Sequence, residues 1–215
     1  MAHVICIMGE SGTGKTTSMR NLDPRSTLYI DCDKKGLSWK GWRSQYNAEA
    51  CNYVKSDVPA VVLKYLQYAN ENPNGKRFKT VVVDTLNGIM IADEMRRAKE
   101  KNYDKWVDLA QSIYDIVDYA LVMRDDLTVV FVAHTQTDHD DNGYLFTRIK
   151  TSGRKLDKIT LESKFTTVLL AKCTDGNYVF ETQANRSTAK SPMGLFETRE
   201  VPNDIKAVIE ALQEF

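Results

Sequence analysis

The sequence predicts an α/β fold, a mainly parallel sheet flanked by helices, with an antiparallel hairpin near the C-terminus. Three observations carry this. The glycine-rich loop Gly9-Glu10-Ser11-Gly12-Thr13-Gly14-Lys15-Thr16-Thr17 follows an apolar run and precedes a stretch able to open a helix. Short β-branched runs then alternate with longer segments of helical period. Finally, Thr174-Asp175-Gly176-Asn177 lies between two strand-like runs, as a tight hairpin turn would.

The elements follow in order. Val4-Ile5-Cys6-Ile7-Met8 is short and β-branched enough for a buried first strand, and Thr17-Ser18-Met19-Arg20 can start a helix. After the Asp23-Pro24 turn, Thr27-Leu28-Tyr29-Ile30-Asp31 reads as a second strand. Asp57 is placed to cap a helix bearing Val61, Leu63, Tyr65, Leu66 and Tyr68, which Asn72-Pro73-Asn74-Gly75 ends. Thr80-Val81-Val82-Val83-Asp84 is a third strand. Residues 103–124 carry Trp106, Leu109, Ala110, Ile113, Ile116, Val117, Ala120 and Leu121 at helical spacing. A fourth strand covers 127–133, and the polar stretch 134–158 is too long for a routine connection. Runs at 168–172 and 178–181 flank the hairpin turn, and Asn203 is placed to cap a terminal helix, 203–215, bearing Ile205, Val208, Ile209 and Leu212. The 215 residues read as a single domain.

Composition narrows the function. With 29 basic and 29 acidic residues the chain has no global field to attract nucleic acid, so any such binding has to be local. Cys6, Cys32, Cys51 and Cys173 show no metal spacing, and free thiols in a reducing, cytoplasmic setting are expected. With the glycine loop starting at residue 9 no signal peptide is expected, and no apolar run reaches membrane-spanning length.

The glycine loop is a Walker A phosphate loop in its required context of strand, loop and helix start. Backbone N–H groups of residues 10–16 and the helix dipole favour phosphate there. Lys15 is expected to reach the β- and γ-phosphate oxygens of a nucleoside triphosphate, and the Thr16 hydroxyl to take a Mg²⁺ position. Asp84, ending an apolar strand, has the form of a Walker B carboxylate that supports the same ion.

Gly14-Lys15-Thr16-Thr17 followed by Tyr29-Ile30-Asp31-Cys32-Asp33 resembles the RecA-like ATPases, whose second strand ends in an Ile-Asp-x-Glu pattern. The resemblance implies ATP hydrolysis, with Asp33 polarising the attacking water although it is one methylene shorter than the usual glutamate. It makes Gln136, or failing it His134, the sensor of the γ-phosphate after the run 129–133. In RecA-like recombinases the following loop is mobile and contacts single-stranded DNA. Here 134–158 holds Tyr144, Phe146, Arg148, Lys150, Arg154, Lys155 and Lys158, suited to stacking on bases and neutralising phosphates. The acidic cluster Asp138-His139-Asp140-Asp141 fits no familiar metal set and is expected to repel DNA or to be held away from it.

Residues 182–192, followed by Gly194-Leu195-Phe196, resemble the tail of small phage-encoded nucleotide-binding proteins, including the Sak-type single-strand annealing proteins. That likeness implies a homo-oligomer, ring or filament, working on single-stranded DNA in the host cytoplasm, with a single-strand-binding protein as a further candidate partner. Lys190, or else Arg186, is the expected cation completing a neighbour's ATP site. Two alternatives stay open: a P-loop small-molecule or nucleotide kinase using Asp31-x-Asp33 to hold an acceptor hydroxyl, and a nucleotide switch recruiting a replication or packaging partner.

Overall fold

The computed structural model describes residues 1–101, 104–139, 142–152 and 160–215. Nine strands form the sheet, in the order β3-β2-β4-β5-β1-β7-β8-β9, with β6 paired to β5. The strands are β1 (His3–Gly9), β2 (Thr27–Asp31), β3 (Tyr53–Lys55), β4 (Thr80–Asp84), β5 (Thr128–His139), β6 (Leu145–Ile149), β7 (Thr167–Thr174), β8 (Asn177–Glu181) and β9 (Glu200–Pro202). From β3 to β7 all neighbours are parallel, and β7-β8-β9 is antiparallel. Helices are α1 (Trp42–Gln45), α2 (Pro59–Glu71), α3 (Leu86–Arg96), α4 (Asp104–Leu121) and α5 (Ile205–Glu214).

Alternation along each strand divides the core between two faces. Cys6, Met8, Leu28, Ile30, Val81, Val83, Val129 and Phe131 share a cluster with Val62 and Leu66 of α2, Ile89 of α3 and Ile113 and Val117 of α4. Ile5, Ile7, Tyr29, Val82, Val130 and Val132 face the other way, against Met19, Leu37, Tyr46 and the α5 residues Ile205, Val208 and Leu212. The predicted second and third strands have the observed bounds. The fold is the predicted one, an α/β P-loop core with an antiparallel C-terminal hairpin.

Several local expectations are corrected. The stretch after the glycine loop forms only a five-residue 3-10 helix, Thr17–Asn21, because Leu22 turns extended and Asp23-Pro24 follows. A dipole of that length contributes less to an anion site than a long helix would. Asp57 does not cap α2; Val58 occupies the N-cap with Pro59 behind it, and Asp57 is held by Lys34 (2.7 Å) and Arg96 (2.9 Å). The cap of α5 is Asp204, whose carboxylate accepts from the Lys206 N–H at 3.0 Å, one residue beyond Asn203.

The largest correction concerns 134–158. The fourth strand continues past Ala133 to His139, and its residues 135–139 pair antiparallel with 145–149 of β6, so these residues form paired strands rather than an open loop. Their base is tied down by Glu162, which accepts from the Ile149 N–H (2.7 Å) and the Thr188 hydroxyl (3.2 Å). Asp140 and Asp141, and Arg154, Lys155 and Lys158, lie outside the described residues.

Candidate functional site

The carboxyl ends of β1, β2, β4 and β5 open on one cleft of about 530 Å³, as ligand sites of parallel sheets do. β5 lies between the strand carrying the glycine loop and the strand carrying Asp84. The register sets His134 beside Gly9, and Val132 beside both Ile7 and Asp84. Ser11, Gly12, Gly14, Lys15, Thr16, Thr17, Lys35, Thr85 and His134 all line the cleft.

The loop's backbone depends on its glycines. Gly12 and Gly14 both hold φ of +85°, a left-handed conformation that side chains disfavour. Thr13 donates its hydroxyl to the Glu10 carbonyl (2.8 Å), and Ser18 donates to the Lys15 carbonyl (2.6 Å), closing the turn. The Lys15 ammonium curls back onto the Gly9 and Glu10 carbonyls at 2.8 and 2.6 Å. Burial draws the Lys15 ammonium down to about 8, partly offset by the Asp84 carboxylate. A cation held this way gains more from phosphate than an already solvated one.

Asp84 is 3% exposed and one oxygen is doubly used: Oδ2 accepts from the Thr16 hydroxyl at 2.8 Å and from the Tyr29 hydroxyl at 2.5 Å. Its other oxygen, Oδ1, has no hydrogen-bond partner among the described residues. Burial pushes the Asp84 carboxyl up, against the pull of the Tyr29 and Thr16 hydrogen bonds. A buried carboxylate with a spare oxygen beside a threonine hydroxyl fits a hard divalent cation held directly or through water. Thr16 and Asp84 are thus the residues that would hold Mg²⁺. Tyr29 was not legible as part of this site, since in the sequence it is one more strand residue.

Asp33, half-buried just past β2, accepts from the Thr85 hydroxyl (3.0 Å) and from Lys35 (2.6 Å). Close packing makes this possible: a Cβ on Gly88 would stand 2.5 Å from Asp33 Oδ1 and 2.8 Å from the Cys32 carbonyl. Partial burial opposes the Lys35 charge, but Asp33, with Asp84 and Asp31, outweighs it and holds the ammonium above its ordinary range. Lys35 is a further cleft cation that no sequence motif marks. It carries no pattern and is recognisable only by position.

Asp31 does not face the cleft. It is 2% exposed, and its Oδ2 accepts from the Gly36 N–H (2.8 Å) and the Tyr53 hydroxyl (2.6 Å), which removes it as a holder of an acceptor hydroxyl.

His134, rather than Gln136, sits in the cleft. Gln136 donates to Asp138 at 2.9 Å on the hairpin, away from the lining residues. Two residues along a strand is about 7 Å of rise, enough to carry Gln136 out. Burial and the nearby Lys15 cation hold His134 below its ordinary range, so the neutral imidazole offers one donor and one acceptor. Its backbone is fixed on both sides: the N–H donates to Asn87 (2.7 Å), and the carbonyl accepts from the Lys150 N–H (2.7 Å).

The residues expected to meet DNA divide. Gln136 pairs with Arg148 and Asp138 with Phe146, so Phe146 and Arg148 share the hairpin face that begins at His134. Lys150 crosses His134 at its base. Asp138 binds Arg148 at 3.0 Å. Tyr144 is 56% exposed beyond the strand pair and lies under the Arg186 guanidinium at 5.2 Å. Lys190 does not line the cleft. Its backbone bridges Val168 by two 2.8 Å hydrogen bonds, and Arg186 is occupied with Tyr144.

Among the described residues no group of histidine, cysteine and carboxylate side chains has metal-site form, and no helix is long and apolar enough to cross a membrane. Cys6 and Cys32 are buried free thiols, while Cys51 and Cys173 are exposed.

A parallel sheet with a glycine loop, a hydroxyl–carboxylate pair and a buried lysine at its carboxyl edge defines a nucleotide-binding P-loop ATPase. The AAA domain family model matches residues 1–193, and the chain belongs to that family. A search of curated proteins finds no match.

Proposed function

We propose that this chain hydrolyses ATP under the control of single-stranded DNA held on the β5–β6 hairpin, in the service of strand annealing or recombination of the phage type. One observation carries the reading. The face of β5 that enters the cleft at His134 continues without a break to Gln136 and Asp138, beside Arg148 and Phe146. A shift of His134 with the phosphate state moves the strand that carries the DNA-facing side chains, and a load on the hairpin acts back on the cleft.

In the cleft, Lys15 leaves the Gly9 and Glu10 carbonyls to take the β- and γ-phosphate oxygens. Thr16 and Asp84 would hold Mg²⁺, which would supply positive charge against the phosphates. Asp33 accepts the proton of the attacking water once Lys35 releases its Oδ2, because a carboxylate in a close ion pair is a weaker base. Lys35 then stands among the phosphates as a cation within the same chain. Lys190 or Arg186 reaches a neighbouring copy's site only in a homo-oligomer, ring or filament, and a single-strand-binding protein is the natural further partner.

The test is ATP turnover with Mg²⁺, with and without a single-stranded oligonucleotide, across a salt series. Stimulation by DNA that fades with salt supports the reading. Tight ATP binding without turnover in either condition supports the switch alternative, and a phosphorylated acceptor with little phosphate release supports the kinase.

A further inference from the structure

The C-terminal strands build one wall of the same cleft. Tyr178 of β8, Pro202 of β9 and Asn203 line it together with Thr17 and Arg20. Their contact with the phosphate loop is direct: a Cβ on Gly14 would stand 2.8 Å from Tyr178 Cδ1 and 3.2 Å from Asn203 Oδ1. Arg20 fastens the wall by donating to the Thr17 carbonyl (3.2 Å) and the Asn203 carbonyl (2.8 Å). Asn203 is 5% exposed, yet its amide nitrogen has no hydrogen-bond partner among the described residues. Such an amide costs stability and calls for an occupant with polar edges. Tyr178, by contrast, is 47% exposed, with ring surface available to a planar group.

A triphosphate anchored at residues 9–16 has to run its sugar and base out along the cleft, and this wall lies just past Thr17. A carboxamide presents a donor and an acceptor side by side. That pair matches the N6 amino donor and the N7 acceptor of adenine, whereas guanine presents two acceptors, O6 and N7, on the same edge. We propose that Tyr178 and Asn203 form the nucleobase subsite, Tyr178 by stacking on the base and Asn203 by selecting adenine over guanine. The proposal rests on the phosphate-loop reading above.

Equilibrium binding of Mg-ATP, Mg-GTP and Mg-tripolyphosphate to the parent, Asn203→Leu, Tyr178→Ala and Tyr178→Phe tests it. Tripolyphosphate has no base and reports the phosphate cradle alone. The parent is expected to prefer ATP over GTP by about tenfold or more, and Asn203→Leu to reduce that preference to about twofold. Tyr178→Ala is expected to weaken ATP binding about tenfold, and Tyr178→Phe, which keeps the ring, to restore it. A parent without base preference, or an Asn203→Leu variant that keeps it, overturns the subsite; tripolyphosphate binding then leaves the phosphate reading standing. If the parent binds none of the three, both readings fall. Should Asn203→Leu not fold, the exposed Tyr178 decides: unchanged ATP affinity in Tyr178→Ala overturns the proposal.

Discussion

The two halves of β5 make the most instructive contrast in the molecule. Its inner half, 128–133, is wholly buried between β1 and β4, and every residue there is apolar or threonine. Its outer half, 134–139, is still beside β1 at His134, then leaves the main sheet to pair with β6 over 135–139, growing more exposed on the way. At the junction the cleft holds buried charges, Lys15 and Asp84, each shifted from its ordinary range and each facing a specific partner. On the hairpin the charges are solvated, as in the Asp138–Arg148 pair. A buried charge is costly to strand and its removal is felt at once, whereas an exposed pair contributes little. The cleft therefore depends on individual residues, and the hairpin on the sum of many.

The largest expected effect is at Lys15. Lys15→Ala should reduce ATP turnover by about a thousandfold, the scale of losing a cation on the transferred phosphoryl, while circular dichroism and thermal melting show an intact fold. Lys15 also sets a pH dependence. Its ammonium titrates near 8 in the nucleotide-free protein, against 10.5 for an ordinary lysine. The unfolded chain therefore holds the extra proton between those values, and parent stability should rise with pH across that window, a rise the variant lacks. Phosphate favours the charged form, so ATP affinity should fall as pH climbs past 8, by at most about tenfold per pH unit.

Next is Asp84→Asn, expected to weaken Mg²⁺-dependent nucleotide binding by about 10- to 100-fold in a metal titration. Because burial already raises this carboxyl, the neutral amide should not lower the melting temperature at pH 7. If Mg²⁺ dependence is unchanged, Asp84 is not in the coordination sphere.

A direct test of the β5 contrast compares two neighbours on one face. His134→Ala should slow turnover about tenfold or more, as loss of a group within reach of the reacting phosphate does. Gln136→Ala should stay within about twofold, like other surface changes. Equal losses would mean that the cleft extends up the hairpin.

The smallest effects belong to the hairpin taken singly. Replacing Arg148, Lys150, Arg154 and Lys155 together should flatten the salt dependence of oligonucleotide binding, and Tyr144→Ala or Phe146→Ala should each cost about 1–3 kcal/mol with little change in that slope. Asp138→Asn should strengthen binding by about two- to threefold, because it frees Arg148 from an exposed pair. Unchanged affinity and slope in the fourfold variant would move the DNA contact elsewhere.

The sequence alone determined the elements that rest on local pattern. A strand whose neighbours bury both faces has to be a short β-branched run, and 27–31 and 80–84 read that way to the residue. The glycine loop is equally local, since its left-handed turns at Gly12 and Gly14 admit little else. It also marked Asp84 through its place at a strand end. What only the tertiary structure decided were contacts between distant segments of ordinary residues. Tyr29 reaches Asp84 and Lys35 reaches the cleft because β2 lies beside β4, Asn203 lines it because the C-terminal wall folds over Gly14, and His134 displaces Gln136 because β5 stays extended past the sheet. Residues 134–139 are polar without strong period, so nothing in their pattern distinguishes a loop from a strand. Pairing with β6 supplies the hydrogen bonds that make the difference.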